Sequence, residues 1–137
     1  MRCKHFKIFE LVPKDLHEKY EEYKLWWLFD DRVLITLDML RDQYGHMLMN
    51  NWNRGGDRDE AGYRISSTTT GAPFSQHKYG RAADPKFLDT PVGVVRQDCI
   101  DRKYDCFKHI TAIELGIAWF HFDVRNSDSE QLLTFKP

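Results

Sequence analysis

A small α+β domain, with helices packed on a mainly antiparallel sheet, is the fold this sequence predicts, and three observations point to it. Two stretches near the N-terminus repeat apolar residues every three or four positions, the period of a helix with one buried face. Three short runs near the C-terminus alternate instead, the period of a strand. The order is helix, helix, strand, loop, strand, helix, strands, which lacks the regular alternation of a parallel α/β fold. At 137 residues the chain fits one domain, 1–137, whose single core can bury about two-thirds of the unfolded surface.

The elements follow in order. Pro13 and Asp15 announce a helix over Lys14 to Phe29, with Tyr20, Tyr23, Trp26 and Trp27 at helical spacing and expected to pack on the core. Asp30 or Asp31 caps a second helix, where Val33, Leu37, Leu40 and Tyr44 form a buried stripe until Gly45 ends it. His46 to Trp52 reads as a strand with Met47 and Met49 on one face, and His46 as a surface residue. Asn53 to Ala61 is a polar loop; its carboxylates Asp57, Asp59 and Glu60 lack calcium-loop spacing and read as solvated. Thr90-Pro91 starts a third helix, predicted to run to about His109, which would then complement the helix dipole as a cation. Strands are predicted over Ile110 to Leu115, Ala118 to Val124 and Leu132 to Phe135, the first two joined at Gly116.

Charge and composition exclude several function classes. With 20 Lys+Arg against 21 Asp+Glu the formal charge is -1, so no global field recruits nucleic acid or an anionic membrane. No apolar run approaches the roughly 20 residues that span a bilayer, and the N-terminus lacks an apolar signal-peptide region, so synthesis in the cytoplasm without membrane insertion is expected. Cys3, Cys99 and Cys106 are an odd set without zinc-finger spacing and are expected as reduced thiols.

The chemistry concentrates in two segments. Ser75-Gln76-His77-Lys78-Tyr79-Gly80-Arg81-Ala82-Ala83-Asp84 supplies an imidazole and a carboxylate, and Trp119-Phe120-His121-Phe122-Asp123 supplies a second imidazole and a further carboxylate. Two His and one Asp suit a catalytic zinc, which keeps a position open, better than a structural zinc, which is closed by four ligands and is usually rich in Cys. Because strand side chains alternate, His121 and Asp123 share one face while Phe120 and Phe122 take the other.

Ser75-x-His77-x-x-Gly80-Arg81-Ala82-x-Asp84, followed by Phe120-His121-Phe122-Asp123-Val124-Arg125, resembles the zinc D-Ala-D-Ala carboxypeptidase family, which includes bacterial cell-wall peptidases and phage endolysins. Asn50-Asn51-Trp52 through Gly62-Tyr63-Arg64 resembles the same family's strand and Gly-Tyr-Arg turn. The resemblance implies a hedgehog-like α+β peptidase fold, with zinc held by His77, Asp84 and His121. It also implies a substrate carboxylate bound by Arg64, with Ser75 counted among the substrate-binding residues. The implied partner is the peptide stem of peptidoglycan, cut by a carboxypeptidase or an endolysin-like endopeptidase. A monomer is expected, reaching the wall through a holin or carried by a phage particle.

The sequence departs from the family at one functional point. Many relatives place a Glu three residues before the last His, or a His two before it; these positions are Ala118 and Trp119 here. The general base is therefore sought elsewhere, with Asp123 the first candidate, an imidazole-orienting role for Asp123 its alternative, and Glu114 the second candidate. A zinc-binding domain without turnover and a zinc hydrolase acting on another amide are the competing functions.

Overall fold

The computed structural model describes all residues, Met1–Pro137. It is an α+β fold with two small sheets. The helices are α1 (Lys14–Lys19), α2 (Glu22–Leu25), α3 (Asp31–Tyr44) and α4 (Val92–Ile100). The strands are β1 (Met47–Leu48), β2 (Ala82–Ala83), β3 (Lys86–Phe87), β4 (Ala112–Glu114), β5 (Phe122–Asp123) and β6 (Leu133–Phe135). β1 pairs with β3, and the second sheet has the order β2-β5-β4-β6. Three of the four pairings are antiparallel; β6 runs parallel to β4 after the chain crosses over from β5.

α3 is the helical layer behind the sheet. Asp30 accepts a hydrogen bond from the Arg32 amide at 3.0 Å and starts it, while Gly45, at φ 84, ends it. Val33, Leu34, Leu37, Leu40 and Tyr44 are buried and meet Phe107, Phe120, Phe122 and Ile113 in one core. The N-terminal segment closes that core from the other side through Phe6, Ile8, Leu11 and Val12. Buried Asn50 ties it in, donating to the Val12 carbonyl at 3.0 Å and accepting from the Ala61 amide at 2.9 Å.

Two predicted helices are shorter than their patterns imply. The expected Lys14 to Phe29 helix breaks at Tyr20, which is extended at φ -124, ψ 152, and resumes as α2 followed by a 3-10 turn over Trp26–Leu28. The break lets Leu25, Trp26 and Phe29 enter the core, and it leaves Tyr20, Tyr23 and Trp27 exposed instead of packed. Burying Leu25, Trp26 and Phe29 together outcompetes one continuous helical period through Tyr20, Tyr23 and Trp27. The helix expected to reach His109 ends at Ile100. Arg102, at φ 51, takes the left-handed position of a Schellman cap, with the Arg102 amide on the Cys99 carbonyl and the Lys103 amide on the Asp98 carbonyl. Its guanidinium then holds the Phe107 and Ile110 carbonyls at 2.7 and 2.8 Å, offsetting the strain of a non-glycine residue there. His109 is consequently not a helix-terminal cation. Burial, with Lys108 beside it, pushes its pKa down.

Gly80 is where the fold meets the future site most tightly. It has φ +66, and a Cβ would lie 1.8 Å from the Leu28 carbonyl oxygen, so both backbone conformation and space require glycine. Gly80→Ala is expected to lower unfolding free energy by about 2–5 kcal/mol, combining left-handed strain with overpacking. Gly93, inside α4 with nothing near its Cβ direction, is the contrast. Gly93→Ala should raise stability by about 0.5–1 kcal/mol. Urea unfolding of both variants checks the opposite signs.

Candidate metal centre

The site is assembled by strand register. Ala82 faces Asp123 across β2 and β5, and Ala112 faces Asp123 across β4 and β5. Continued two residues, that register sets Asp84, His121 and Glu114 in one row, because facing residues in antiparallel strands point to the same side. His77 comes to the row from the 3-10 turn over Gln76–Tyr79, and Gly80 returns the chain into β2.

The three side chains converge on one point. His121 Nδ1 lies 2.7 Å from Asp84 Oδ1, His77 Nε2 lies 3.2 Å from the same oxygen, and the two imidazole nitrogens are 3.3 Å apart. All three residues are buried, and the group could hold a metal ion. The donors fit one: ligand bonds of about 2.0–2.2 Å in a tetrahedral arrangement put neighbouring donors about 3.3 Å apart. Two of the three separations lie within 0.1 Å of that edge; the Asp84–His121 separation is shorter, at 2.7 Å.

The outward-turned atoms of this group are held as well. His77 Nδ1 is 2.7 Å from the Gly62 carbonyl, which accepts its proton and leaves Nε2 as the metal-facing lone pair. Gly62 can sit there only as glycine, since a Cβ would lie 2.2 Å from the Leu11 carbonyl oxygen. His121 Nε2 is 3.2 Å from Asp123 Oδ2, which likewise fixes Nδ1 as its free nitrogen. Arg125 grips Asp123 with a fork, Nε at 2.7 Å and Nη2 at 2.6 Å, and its guanidinium lies over the Phe135 ring. Arg64 Nη2 donates to Asp84 Oδ2 at 2.8 Å and Nε to the Glu60 carbonyl at 2.9 Å.

This packing sets the charges. Burial works against the Asp84 charge, but the His77 and His121 imidazoles hold its carboxyl well below the usual range. Asp123 is likewise opposed by burial and likewise held low, by hydrogen bonds from Arg125 and His121. Burial disfavours a charged His121, yet the bonds to Asp123 and Asp84 outweigh it and push the pKa up to about 9. In the metal-free protein His121 is therefore protonated at neutral pH, and a metal must displace that proton. Apparent metal affinity should rise about tenfold per pH unit between pH 6 and 8, since one proton leaves per ion bound. Competition titration against a chromophoric chelator measures this, and a flat profile would contradict the protonated His121. The raised pKa also stabilises the metal-free fold below about pH 6.5, a contribution lost as pH rises through 9.

No family model, curated protein or solved structure matches this chain. What the site can do must be read from its own geometry.

A cleft of about 500 Å³ opens on the centre. His77, Asp84 and His121 form its floor, and Glu114, Arg125 and Trp119 stand on its walls. The Glu114 carboxylate has no hydrogen-bond or ion-pair partner in the protein. Ser75 precedes the His77 turn, and its hydroxyl lines the cleft without capping the turn. Asp123 does not reach the cleft: it is fully buried behind His121, with both oxygens occupied by Arg125 and one of them by His121. Arg64 spends Nη2 on Asp84 and Nε on the Glu60 carbonyl, which leaves Nη1, beside Gly71, without a partner. Arg125 is the residue sequence reasoning passed over. Arg125 lies just past β5, and its backbone amide also donates to Asp123 Oδ1 at 3.2 Å, so the clamp is built within one local turn of chain.

Proposed function

We propose that the chain is a zinc-dependent peptidase that hydrolyses peptide bonds in the stems of bacterial peptidoglycan, in the manner of the D-Ala-D-Ala carboxypeptidases and endolysin endopeptidases it resembles. The observation that carries this reading is a metal-binding triad held on its buried side and open on the other to a cleft with one unpartnered carboxylate. A zinc-finger-like structural centre would instead be closed by a fourth protein ligand.

Zinc held by His77, Asp84 and His121 would supply Lewis-acid polarisation of a carbonyl and a water activated near neutral pH. The remaining work belongs to the chain. Glu114 stands on the cleft wall beside His121, takes the proton of the attacking water and passes it to the leaving amine. Asp123, clamped by Arg125, keeps His121 in the tautomer whose Nδ1 is free, so its role is orientation. Arg64 holds the second oxygen of Asp84, fixing the ligand oxygen, and offers Nη1 to an anionic substrate group. Glu114 thus replaces the residues that relatives carry where this chain has Ala118 and Trp119.

No helix is long and apolar enough to cross a membrane. A holin or a phage particle is proposed to bring the protein to the wall. Incubation with purified peptidoglycan should release free amino groups in proportion to bound zinc, and a chelator should stop the release. Metal binding without release would leave a zinc-binding module, and release from a non-wall amide alone would move the activity to another hydrolase class.

A further inference from the structure

The turn that carries Trp119 onto the metal cleft has no support from the sheet. From Gly116 to Phe120 no amide or carbonyl takes part in a backbone–backbone hydrogen bond. The segment is anchored at its ends, where the Leu115 amide donates to the Phe135 carbonyl at 2.7 Å and the Phe120 ring is fully buried in the core. Between those ends one side chain holds it. Arg96, reaching across from α4, uses Nη2 to donate to the Ile117 carbonyl at 3.0 Å and to the Trp119 carbonyl at 2.6 Å. Its Nε is buried without a partner, a cost that the two bonds from Nη2 offset.

The indole itself is uncommitted. Trp119 is 47% exposed and its Nε1 has no hydrogen-bond partner in the protein, whereas Trp52 Nε1 donates to the Val12 carbonyl. The residue borders three clefts: the metal cleft, one of about 260 Å³ that carries Arg64 and Asp84 with the 57–60 loop, and one of about 300 Å³ toward Phe87 and Val92. A ring with open space on several sides takes its position from its backbone, and here Arg96 supplies that position. An aromatic face with a free N–H at its edge suits a peptide, which presents apolar surface beside carbonyl acceptors.

Resting on the peptidase reading, we infer that Trp119 is a substrate-binding wall of the metal cleft and that Arg96 is its positioning residue. The indole face packs on the bound peptide and Nε1 donates to one of its carbonyls. Arg96 touches neither substrate nor metal; it acts through the Ile117 and Trp119 carbonyls.

The test uses zinc-loaded protein labelled with 5-fluorotryptophan, whose four tryptophans give four fluorine NMR signals, the Trp119 signal being the one missing from Trp119→Phe. The stem pentapeptide L-Ala-γ-D-Glu-L-Lys-D-Ala-D-Ala is the probe. Titrated into Glu114→Gln protein, so that binding is read apart from turnover, it should move the Trp119 signal and leave the other three in place. In peptide-free Arg96→Met the Trp119 signal alone should shift or broaden, with zinc content at the parental level. Arg96→Met and Trp119→Ala should each raise KM about tenfold with kcat within about threefold of the parent, and the double variant should lose no more than Trp119→Ala, because both act through one contact. If Arg96→Met does not fold, Arg96→Lys, with a single donor of shorter reach, takes its place in both measurements.

Additive losses, or an unchanged Trp119 signal in the Arg96 variant, overturn the positioning role. A peptide that the parent cuts while the Trp119 signal stays still and Trp119→Ala keeps the parental KM overturns the wall and leaves the peptidase reading standing. Movement of the Trp119 signal by a peptide that the parent does not cut retracts the peptidase reading and keeps the wall. A peptide that neither moves the signal nor is cut retracts both.

Discussion

His77→Ala and His121→Ala proteins should purify without zinc, where the proposed centre predicts one ion per chain in the parent. Each change removes one of three donors that lie within 4.8 Å of one another, and the two left behind do not close a shell. Loss of a residue that merely orients a ligand already costs about tenfold to a hundredfold in affinity, so loss of a ligand should exceed that. His121→Ala also removes one hydrogen-bond partner from each of two buried carboxylates, Asp84 and Asp123, and should unfold more easily than His77→Ala, which takes a partner from Asp84 alone. Elemental analysis at matched folded fraction separates metal loss from misfolding. His46→Ala is the control: its exposed side chain bonds only Asp89, so the variant should match the parent's zinc content. Full occupancy in either ligand variant would dismantle the centre.

The parts of this structure legible in the sequence are those where one local signal dominates. Asp30, the Val33–Tyr44 stripe and Gly45 marked α3 because cap, period and stop agree. The His77, Asp84 and His121 group, which could hold a metal ion, was marked in the sequence by the motif resemblance, with Gly80 between His77 and Asp84 making the turn that returns the chain into β2. The failures came where two patterns compete. Tyr20, Tyr23 and Trp27 keep helical spacing with Leu16, yet burying Leu25, Trp26 and Phe29 decides the path. In the Cys99 to Phe107 stretch, a left-handed arginine ends the helix where a glycine would have announced it. Glu114 illustrates a third limit. Its place beside His121 is set by pairing between strands, and register across a hairpin is not written in either strand alone.

Register also decides the last expectation, which concerns who moves the proton. Asp123 and Glu114 share the ligand face, but Asp123 faces Ala82 and Ala112, both fully buried, whereas Glu114 lies on the cleft wall. A carboxylate already accepting from Arg125 and His121, and held at low pKa by them, is a poor acceptor for a further proton. Glu114→Gln keeps shape and removes basicity, so turnover should fall about a hundredfold to ten-thousandfold with zinc retained. Asp123→Asn should behave differently. It weakens the hold on His121, lowers metal affinity by about tenfold to a hundredfold, and regains most activity when zinc is supplied in excess. Steady-state rates measured at saturating and at stoichiometric zinc distinguish the two. Parental turnover in zinc-loaded Glu114→Gln, beside an Asp123→Asn protein that stays inactive in excess zinc, would return the base to Asp123 and require it to reach the cleft on substrate binding.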